Sequence, residues 1–113
     1  MSLNAYRQTA ERFEHPRQTE YRLFGEVTRA LMEAQESSDV QVRVAALDWN
    51  RRLWTVLAAD CSGPQNQLSK EVRAQIVTIS MWVQRHTSKA IRKEEDIQPL
   101  IDVNRSIMEG LRH

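Results

Sequence analysis

Turn-forming residues are scarce in this sequence, and their scarcity limits the folds open to it. Only three glycines and three prolines occur in 113 residues, whereas sheets built from hairpins need turn residues roughly every 8–12 positions. Between these breaks, apolar residues recur at three- and four-residue steps, which is the spacing of a helix that buries one face. The sequence therefore predicts an all-α protein: an antiparallel helical bundle of four main helices plus a short N-terminal arm helix.

The first main helix is predicted to begin at Pro16 and to end near Gln35, because proline supplies a backbone conformation suited to a first helical turn. Its predicted buried stripe is Phe24, Val27, Leu31 and Ala34, widened by Leu23 and Ala30. Gly25 weakens this helix slightly without ending it.

A second helix is predicted from Val40 to about Asp60, with Ser38 or Asp39 as its N-cap. It is apolar on two sides, so we expect it to be central, with neighbours on both sides. The first predicted stripe is Val40, Val44, Leu47, Trp54 and Leu57, and the second is Val42, Ala46, Trp49, Leu53 and Val56.

Two further helices are predicted after a loop at residues 61–67. Ser69 caps the third, and Asp96 caps the fourth, whose first turn tolerates Pro99. The third stripe is Val72, Ile76, Ile79, Val83, His86, Ala90 and Ile91, and the fourth is Leu100, Ile101, Asn104, Ile107, Met108 and Leu111. We predict one domain over residues 1–113, with an arm at 1–14 and the bundle at 16–112.

Composition excludes several classes of partner. Sixteen basic residues oppose fifteen acidic ones, so the net charge of +1 excludes a polybasic surface for nucleic acid or membrane. The single Cys61 excludes a disulfide framework and suits a reducing compartment. With no apolar run of about 20 residues and no signal-peptide stretch, we expect a cytoplasmic protein without membrane insertion.

Residues for metal binding or catalysis do not occur at useful spacings. His15, His86 and His113 are scattered, and no nucleophile elbow or phosphate-binding glycine loop is present. We therefore predict no metal, no cofactor and no enzymatic activity. His86 lies beside Ser88, but its position on the third stripe favours an imidazole at the core edge, hydrogen-bonded to another helix.

Tryptophan and arginine are close neighbours in the sequence at residues 49–54, and both residue types are enriched at protein interfaces. Five residues place Trp49 and Trp54 about 140° apart on a helix, so the two rings cannot share one face. Either one ring fills the core against Trp82 while the other packs under the fourth helix or stays partly open, or both are buried and Asp48 pairs with Arg52.

Two other tracts allow both a structural and a binding interpretation. One flank of the third helix carries Arg85, Lys89 and Arg92. This flank is either a solvated face or a surface that binds phosphates and acidic side chains. Asn104 lies within an apolar stripe, where its amide can fix the register of the bundle; alternatively, Asn104 and Arg105 contact the backbone of a partner.

Four tracts together resemble the flagellar biosynthesis regulator FlaF family of alphaproteobacteria. They are PRQTEYRLF at residues 16–24, NRRLW at 50–54, RHTSK at 85–89 and IDVNRSIMEGL at 101–111, and the opening Ala5-Tyr6 also fits. The resemblance implies a small cytoplasmic protein without enzymatic activity that acts with flagellin and opposes the translational repressor FlbT, which it meets either directly or through flagellin.

We hypothesise that the chain covers an amphipathic segment of flagellin as a chaperone or adaptor, and so promotes flagellin synthesis and secretion. The alternative is an RNA-binding regulator of flagellin mRNA that uses Arg85, Lys89, Arg92 and Lys93, which the near-neutral charge disfavours. Candidate partner contacts are residues of the matched tracts expected to be exposed: Arg22, Trp49, Arg51, Arg52, Arg85, Lys89, Asn104 and Arg105.

Overall fold

The computed structural model describes residues 16–63 and 68–112, with side chains described over 21–63 and 68–110. Four α-helices and no strand occur in these ranges: α1 (Pro16–Gln35), α2 (Val40–Cys61), α3 (Lys70–Ile91) and α4 (Gln98–Arg112). The predicted all-helical class with four main helices is confirmed there. The predicted arm helix lies outside the described residues, and the single-domain assignment stays a prediction.

Side-chain contacts give the direction of α4 relative to α1. Asn104 donates a hydrogen bond to Thr28 at 3.2 Å, and Gln35, later in α1, donates to Gln98, earlier in α4, at 2.9 Å. The two helices are therefore antiparallel. α1 packs against both α2 and α4, and α2 packs against α3, whereas α3 and α4 touch only slightly.

Two of the three predicted helix caps are confirmed. The side chain of Asp39 accepts a hydrogen bond from the amide of Gln41 at 2.9 Å, and that of Ser69 accepts from the amide of Val72 at 3.2 Å. Each bond satisfies an amide that has no partner within its own helix.

The prediction that Asp96 caps the fourth helix is wrong. α4 begins at Gln98, and the carbonyl of Ile97 accepts hydrogen bonds from the amides of Leu100 and Ile101 at 2.9 and 3.4 Å. Ile97 therefore stands directly before the first helical residue, and its side chain is buried in the core at 2% exposure. Asp96 instead contributes its backbone carbonyl, which accepts a hydrogen bond from His86.

The core follows the stripes predicted for α1, α3 and α4 most closely. The prediction is wrong for Val72, in the first turn of α3, which is 40% exposed, and the side chain of Leu111 lies outside the described residues. All four main-stripe residues of α1 are buried, and the Phe24 ring meets the fully buried Trp54 ring edge-on at 5.7 Å. Aromatic pairs in this arrangement gain about 0.5–1.5 kcal/mol beyond their buried area. The largest fully buried side chains are Trp54, Phe24, Leu31, Leu47, Ile97, Leu100, Ile101, Val27, Val83, Asn50 and Asn104.

The two stripes predicted for α2 are partly wrong. Val40, Val42 and Val44 are 57%, 43% and 37% exposed, and Trp49 is 41% exposed. The buried face of α2 is a single band that lies between the two predicted stripes, so their outer members face solvent. The buried members of α2 are Ala46, Leu47, Asn50, Leu53, Trp54, Leu57 and Cys61.

A buried polar cluster at the centre of the bundle joins three helices. The Asn104 cluster consists of Thr28 of α1, Asn50 and Trp54 of α2, and Asn104 of α4. The side-chain amide of Asn104 donates to Asn50 Oδ1 at 2.8 Å and to Thr28 Oγ1 at 3.2 Å, and its Oδ1 accepts from Trp54 Nε1 at 2.9 Å. The structural interpretation of Asn104 is therefore confirmed: one amide fixes how α1, α2 and α4 fit together.

The third helix is hydrogen-bonded to the backbone of the same tryptophan. Ser80 Oγ of α3 donates to the backbone carbonyl of Trp54 at 3.2 Å, and both groups are buried. Trp54 thus contacts α4 through its indole nitrogen and α3 through its carbonyl. Because buried polar groups must be paired to avoid a desolvation cost, these bonds exclude other registers of the helices.

We expect Asn104→Ala to lower the free energy of unfolding by about 3 kcal/mol, because it leaves Trp54 Nε1 and Asn50 Oδ1 buried without a partner, while Thr28 keeps its contact with Met108. Urea unfolding followed by circular dichroism measures this change. Ser106→Ala on the exposed side of α4 is the matched control and should change stability by no more than about 0.5 kcal/mol. An Asn104 variant as stable as the control would contradict the role of the cluster.

We expect Gly25→Ala to stabilise the fold by about 0.5–1 kcal/mol, because glycine inside a helix costs about that much relative to alanine. A Cβ at position 25 would lie 3.7 Å from Met108 Cε, which is an ordinary van der Waals contact. The thermal midpoint should therefore rise. A lower midpoint would show that α1 and α4 lie closer together than the structure has them.

Candidate functional site

An open groove runs along α1 where it meets α4. Its apolar surface comes from Tyr21, Met32 and Met108, and Gly25 adds no side chain of its own to the lining. We call it the α1–α4 groove. Its lining residues are Tyr21, Arg22, Gly25, Glu26, Thr28, Arg29, Met32, Glu33, Glu36, Arg105 and Met108.

Two methionines, Met32 and Met108, form part of the floor of the groove. Thr28 Oγ1 contacts the Met108 sulfur at 3.9 Å, and Arg105 Nη2 contacts the Met32 sulfur at 3.6 Å. Met32 is 42% exposed. Methionine has three rotatable bonds and a polarisable sulfur, so a surface built from it adapts to the shape of an apolar partner.

Charges of both signs line the groove. Glu26, Glu33 and Glu36 supply carboxylates, and Arg22, Arg29 and Arg105 supply guanidinium groups. A partner with an apolar stripe between acidic and basic side chains would match this pattern, whereas a polyanion would meet three carboxylates. Mixed rims of this kind select the register and orientation of a partner more than they add affinity.

The predicted contact residues are distributed over several surfaces. Arg22 and Arg105 both line the α1–α4 groove. Trp49, Arg51 and Arg52 belong to α2, while Arg85 and Lys89 belong to α3 and are exposed. The structure therefore brings two of the eight predicted residues, Arg22 and Arg105, to the α1–α4 groove.

The expectation of an exposed side chain is wrong for Asn104. Its exposure is 0%, and its amide is fully used in the cluster with Thr28, Asn50 and Trp54. The sequence allowed both interpretations, because an amide within an apolar stripe can either satisfy buried neighbours or face a partner. Burial decides in favour of the internal role.

Sequence reasoning missed most of the groove. The sequence pattern predicts Met108 on the buried side of the fourth helix, and it marks Gly25 only as a weak point of the first. Gly25 and Met32 are seven residues apart, which places them on one helical face beside the buried stripe. That spacing was the available signal, but it does not reveal that α4 leaves this face open.

The two tryptophans of α2 divide as one of the alternatives predicts. Trp54 is buried and Trp49 is 41% exposed. The core partner of Trp54 is Phe24 rather than Trp82, whose half-buried ring instead stacks on His86 at 4.8 Å.

The ion pair between Asp48 and Arg52, which belongs to the other alternative, is also present, and Arg51 joins it. Asp48 bonds Arg52 at 2.9 Å and also Arg51 at 2.8 Å. The carboxylate of Asp48 is therefore shared by both arginines. Pairs at this degree of exposure contribute at most about 1 kcal/mol to stability, so they orient these side chains more than they stabilise the fold.

His86 has a structural position, and one detail of its prediction is wrong. It is 7% exposed, and its Nε2 donates to the carbonyl of Asp96 at 2.7 Å, so its partner lies in the segment before α4 rather than in another helix. Ser88 Oγ donates to the carbonyl of Gln84 at 3.3 Å. His86 and Ser88 therefore each bond the backbone instead of each other.

The basic flank of α3 is a solvated face with one cation already paired. Arg92 bonds both carboxylate oxygens of Glu94, at 3.0 and 3.1 Å. The hydrogen bond and then the opposite charge raise the pKa of Arg92, and the same contact lowers the pKa of Glu94. Because folding lowers the pKa of Glu94, its contact with Arg92 favours the folded state at neutral pH. This stabilisation is lost as the pH falls through the pKa that Glu94 has in the folded state.

Neither a metal-binding cluster nor a membrane-spanning helix is found among the described residues. Over residues 16–63 and 68–112, no group of His, Cys, Asp or Glu side chains is arranged to hold a metal ion. None of the helices in those ranges is both long enough and apolar enough to cross a membrane.

Comparison with known proteins gives a family match. The family model described as "Flagellar protein FlaF" matches residues 2–111, which is nearly the whole chain. No curated protein and no solved structure matches significantly. The family model covers all four helices, including both sides of the α1–α4 groove, and on this match the chain belongs to the FlaF family of flagellar proteins.

Proposed function

We propose that this flagellar protein is a chaperone or adaptor that holds an amphipathic helical segment of flagellin in the α1–α4 groove. It thereby promotes flagellin synthesis and secretion in opposition to the translational repressor FlbT. Membership of the FlaF family supports the flagellar role. The observation that carries the binding mode is the open, methionine-floored groove between α1 and α4.

The dimensions of the groove suit a helix. Its lining on the α1 side extends from Tyr21 to Glu36, which corresponds to about 22 Å of helix, or four turns, at about 1.5 Å per residue. An amphipathic helix laid along it would place its apolar stripe on Met32 and Met108. Recognition of this kind depends on anchors spaced three, four and seven residues apart in the partner.

The rims of the groove match the flanks of such a helix. Arg105 lies on the α4 side and forms no salt bridge with any described carboxylate, so it is available to an acidic group of the partner. Glu26 and Glu33 are exposed on α1 and offer carboxylates to basic groups. Covering the apolar stripe of flagellin in this way would prevent its aggregation before export.

We expect Met32→Glu to weaken binding to flagellin at least about tenfold, because it places a charge on the apolar floor and removes an anchor; tenfold corresponds to about 1.4 kcal/mol. Isothermal titration calorimetry with purified flagellin measures the affinity, and light scattering confirms the mass of the complex. Met81→Glu is the matched control, because Met81 is 57% exposed on α3 and lies outside the groove lining.

The control should bind like the natural chain, and both variants should keep its circular dichroism spectrum. Equal weakening by the two variants would show that charge anywhere on the surface disturbs binding, and would contradict the groove. The absence of any complex between the natural chain and flagellin would contradict the function itself.

If the chain instead binds RNA, the binding measurements should differ from those expected for flagellin. Binding to the flagellin mRNA leader should fall steeply with salt, because phosphate contacts release counterions. It should also weaken with Lys89→Ala on the basic flank of α3 and be indifferent to Met32→Glu. Such results would favour RNA binding over the proposed binding of flagellin.

A further inference from the structure

A second row of residues on α2 is exposed and follows a heptad spacing. Val42 and Trp49 are 43% and 41% exposed, and the side chain of Arg52 is 77% exposed. Ala45 and Ala59 are exposed, and Val56 is half-buried at the edge of the core. We call this row the α2 seam. Its members are Val42, Ala45, Trp49, Arg52, Val56 and Ala59.

The alternating steps of three and four residues place the seam on one side of α2. Positions that repeat in this way occupy the a and d sites of a coiled coil and form a nearly straight apolar strip along a helix. The opposite side of α2 carries the buried band around Asn50, Trp54 and Leu57. The seam is therefore a second face, largely exposed, on a helix that already contributes to the core.

The seam is complementary to itself when its direction is reversed. In an antiparallel pair of α2 helices with the two-fold axis between residues 50 and 51, Val42 faces Ala59 of the second copy. Ala45 then faces Val56 of the second copy. Each small side chain thus meets a larger one, which is the alternation that lets facing helices interdigitate.

Charge supports the same arrangement at the centre. Trp49 would face Arg52 of the second copy, and a guanidinium placed over an indole ring is attracted by the ring electrons. Within each chain, Asp48 bonds Arg52 at 2.9 Å and Arg51 at 2.8 Å, so its carboxylate offsets part of the positive charge that the two copies bring to the axis. The overall charge of +1 adds little repulsion.

We propose that two copies of this chain associate through the α2 seam as an antiparallel, two-fold symmetric dimer. The seam spans about 26 Å from Val42 to Ala59 at about 1.5 Å per residue. A single helix pair of this length is smaller than interfaces that bury about 800 Å² per partner, so the dimer is weak and forms as concentration rises. No residue of the α1–α4 groove takes part, so this inference stands or falls separately from flagellin binding.

Sedimentation velocity on the full chain, from about 1 μM to about 1 mM, measures the association, since weak interfaces become populated in that range. The natural chain should shift from monomer to dimer. Trp49→Ala should raise the dissociation constant about tenfold or more, because it removes the central aromatic contact. Val44→Ala is the matched control: Val44 is 37% exposed on the same helix but is not part of the seam.

The control variant should dimerise within about twofold of the natural chain, and unchanged circular dichroism spectra show that both variants fold. A monomer over the whole concentration range overturns the proposal. A dimer that Trp49→Ala does not weaken also overturns it, because the contact would then lie elsewhere.

Cross-linking tests the antiparallel register. The arrangement predicts that a short bismaleimide joins Val42→Cys to Ala59→Cys when the two variants are mixed, and does not join Ala59→Cys to itself, since the two copies of residue 59 would lie about 26 Å apart. The native Cys61 is 3% exposed, and its burial restricts reaction with the reagent. Self-linking of Ala59→Cys, or no product in the mixture, overturns the proposal.

Discussion

The hydrogen bonds of one buried amide hold this bundle in a single arrangement. Asn104 donates to α1 and α2 and accepts from the indole of Trp54, at distances between 2.8 and 3.2 Å. Apolar contacts alone tolerate small slips between helices, whereas a buried amide that loses its partners costs about 1–3 kcal/mol. The register of α1 against α4 follows from this amide.

The groove depends on the same register. Thr28 accepts from Asn104 and directs its hydroxyl toward the sulfur of Met108, so the polar centre and the floor of the groove share one side chain. A slip of α4 along α1 would move Met108 and Arg105 away from Gly25 and Met32. We therefore regard the Asn104 cluster as the element that positions the candidate site.

The sequence predicts those features that depend on local chemistry. The stripe of α1 is buried because Phe24, Val27 and Leu31 recur at helical spacing, and Asp39 caps α2 because its short side chain accepts a hydrogen bond from an unpaired amide. The predictions that are wrong concern features that depend on tertiary packing. Three exposed valines at the start of α2 match a helical pattern whose orientation only the neighbouring helices decide.

The site was harder to predict than the fold for the same reason. Arg22 and Arg105 are far apart in the sequence and meet only because α4 packs antiparallel to α1. Trp49 stands five residues from Trp54, yet one ring is exposed and the other buried. Residue type and spacing identify candidate contacts, while the packing of the helices decides which of them share a surface.

Hydrogen exchange of the tryptophan indole N–H groups, followed by NMR, tests the central role of the cluster most directly. If Trp54 Nε1 donates to Asn104 inside the core, its proton should exchange only as fast as the whole protein unfolds. The indole proton of the exposed Trp49 should exchange much faster. Exchange of the Trp54 proton at the rate of Trp49 would contradict the account.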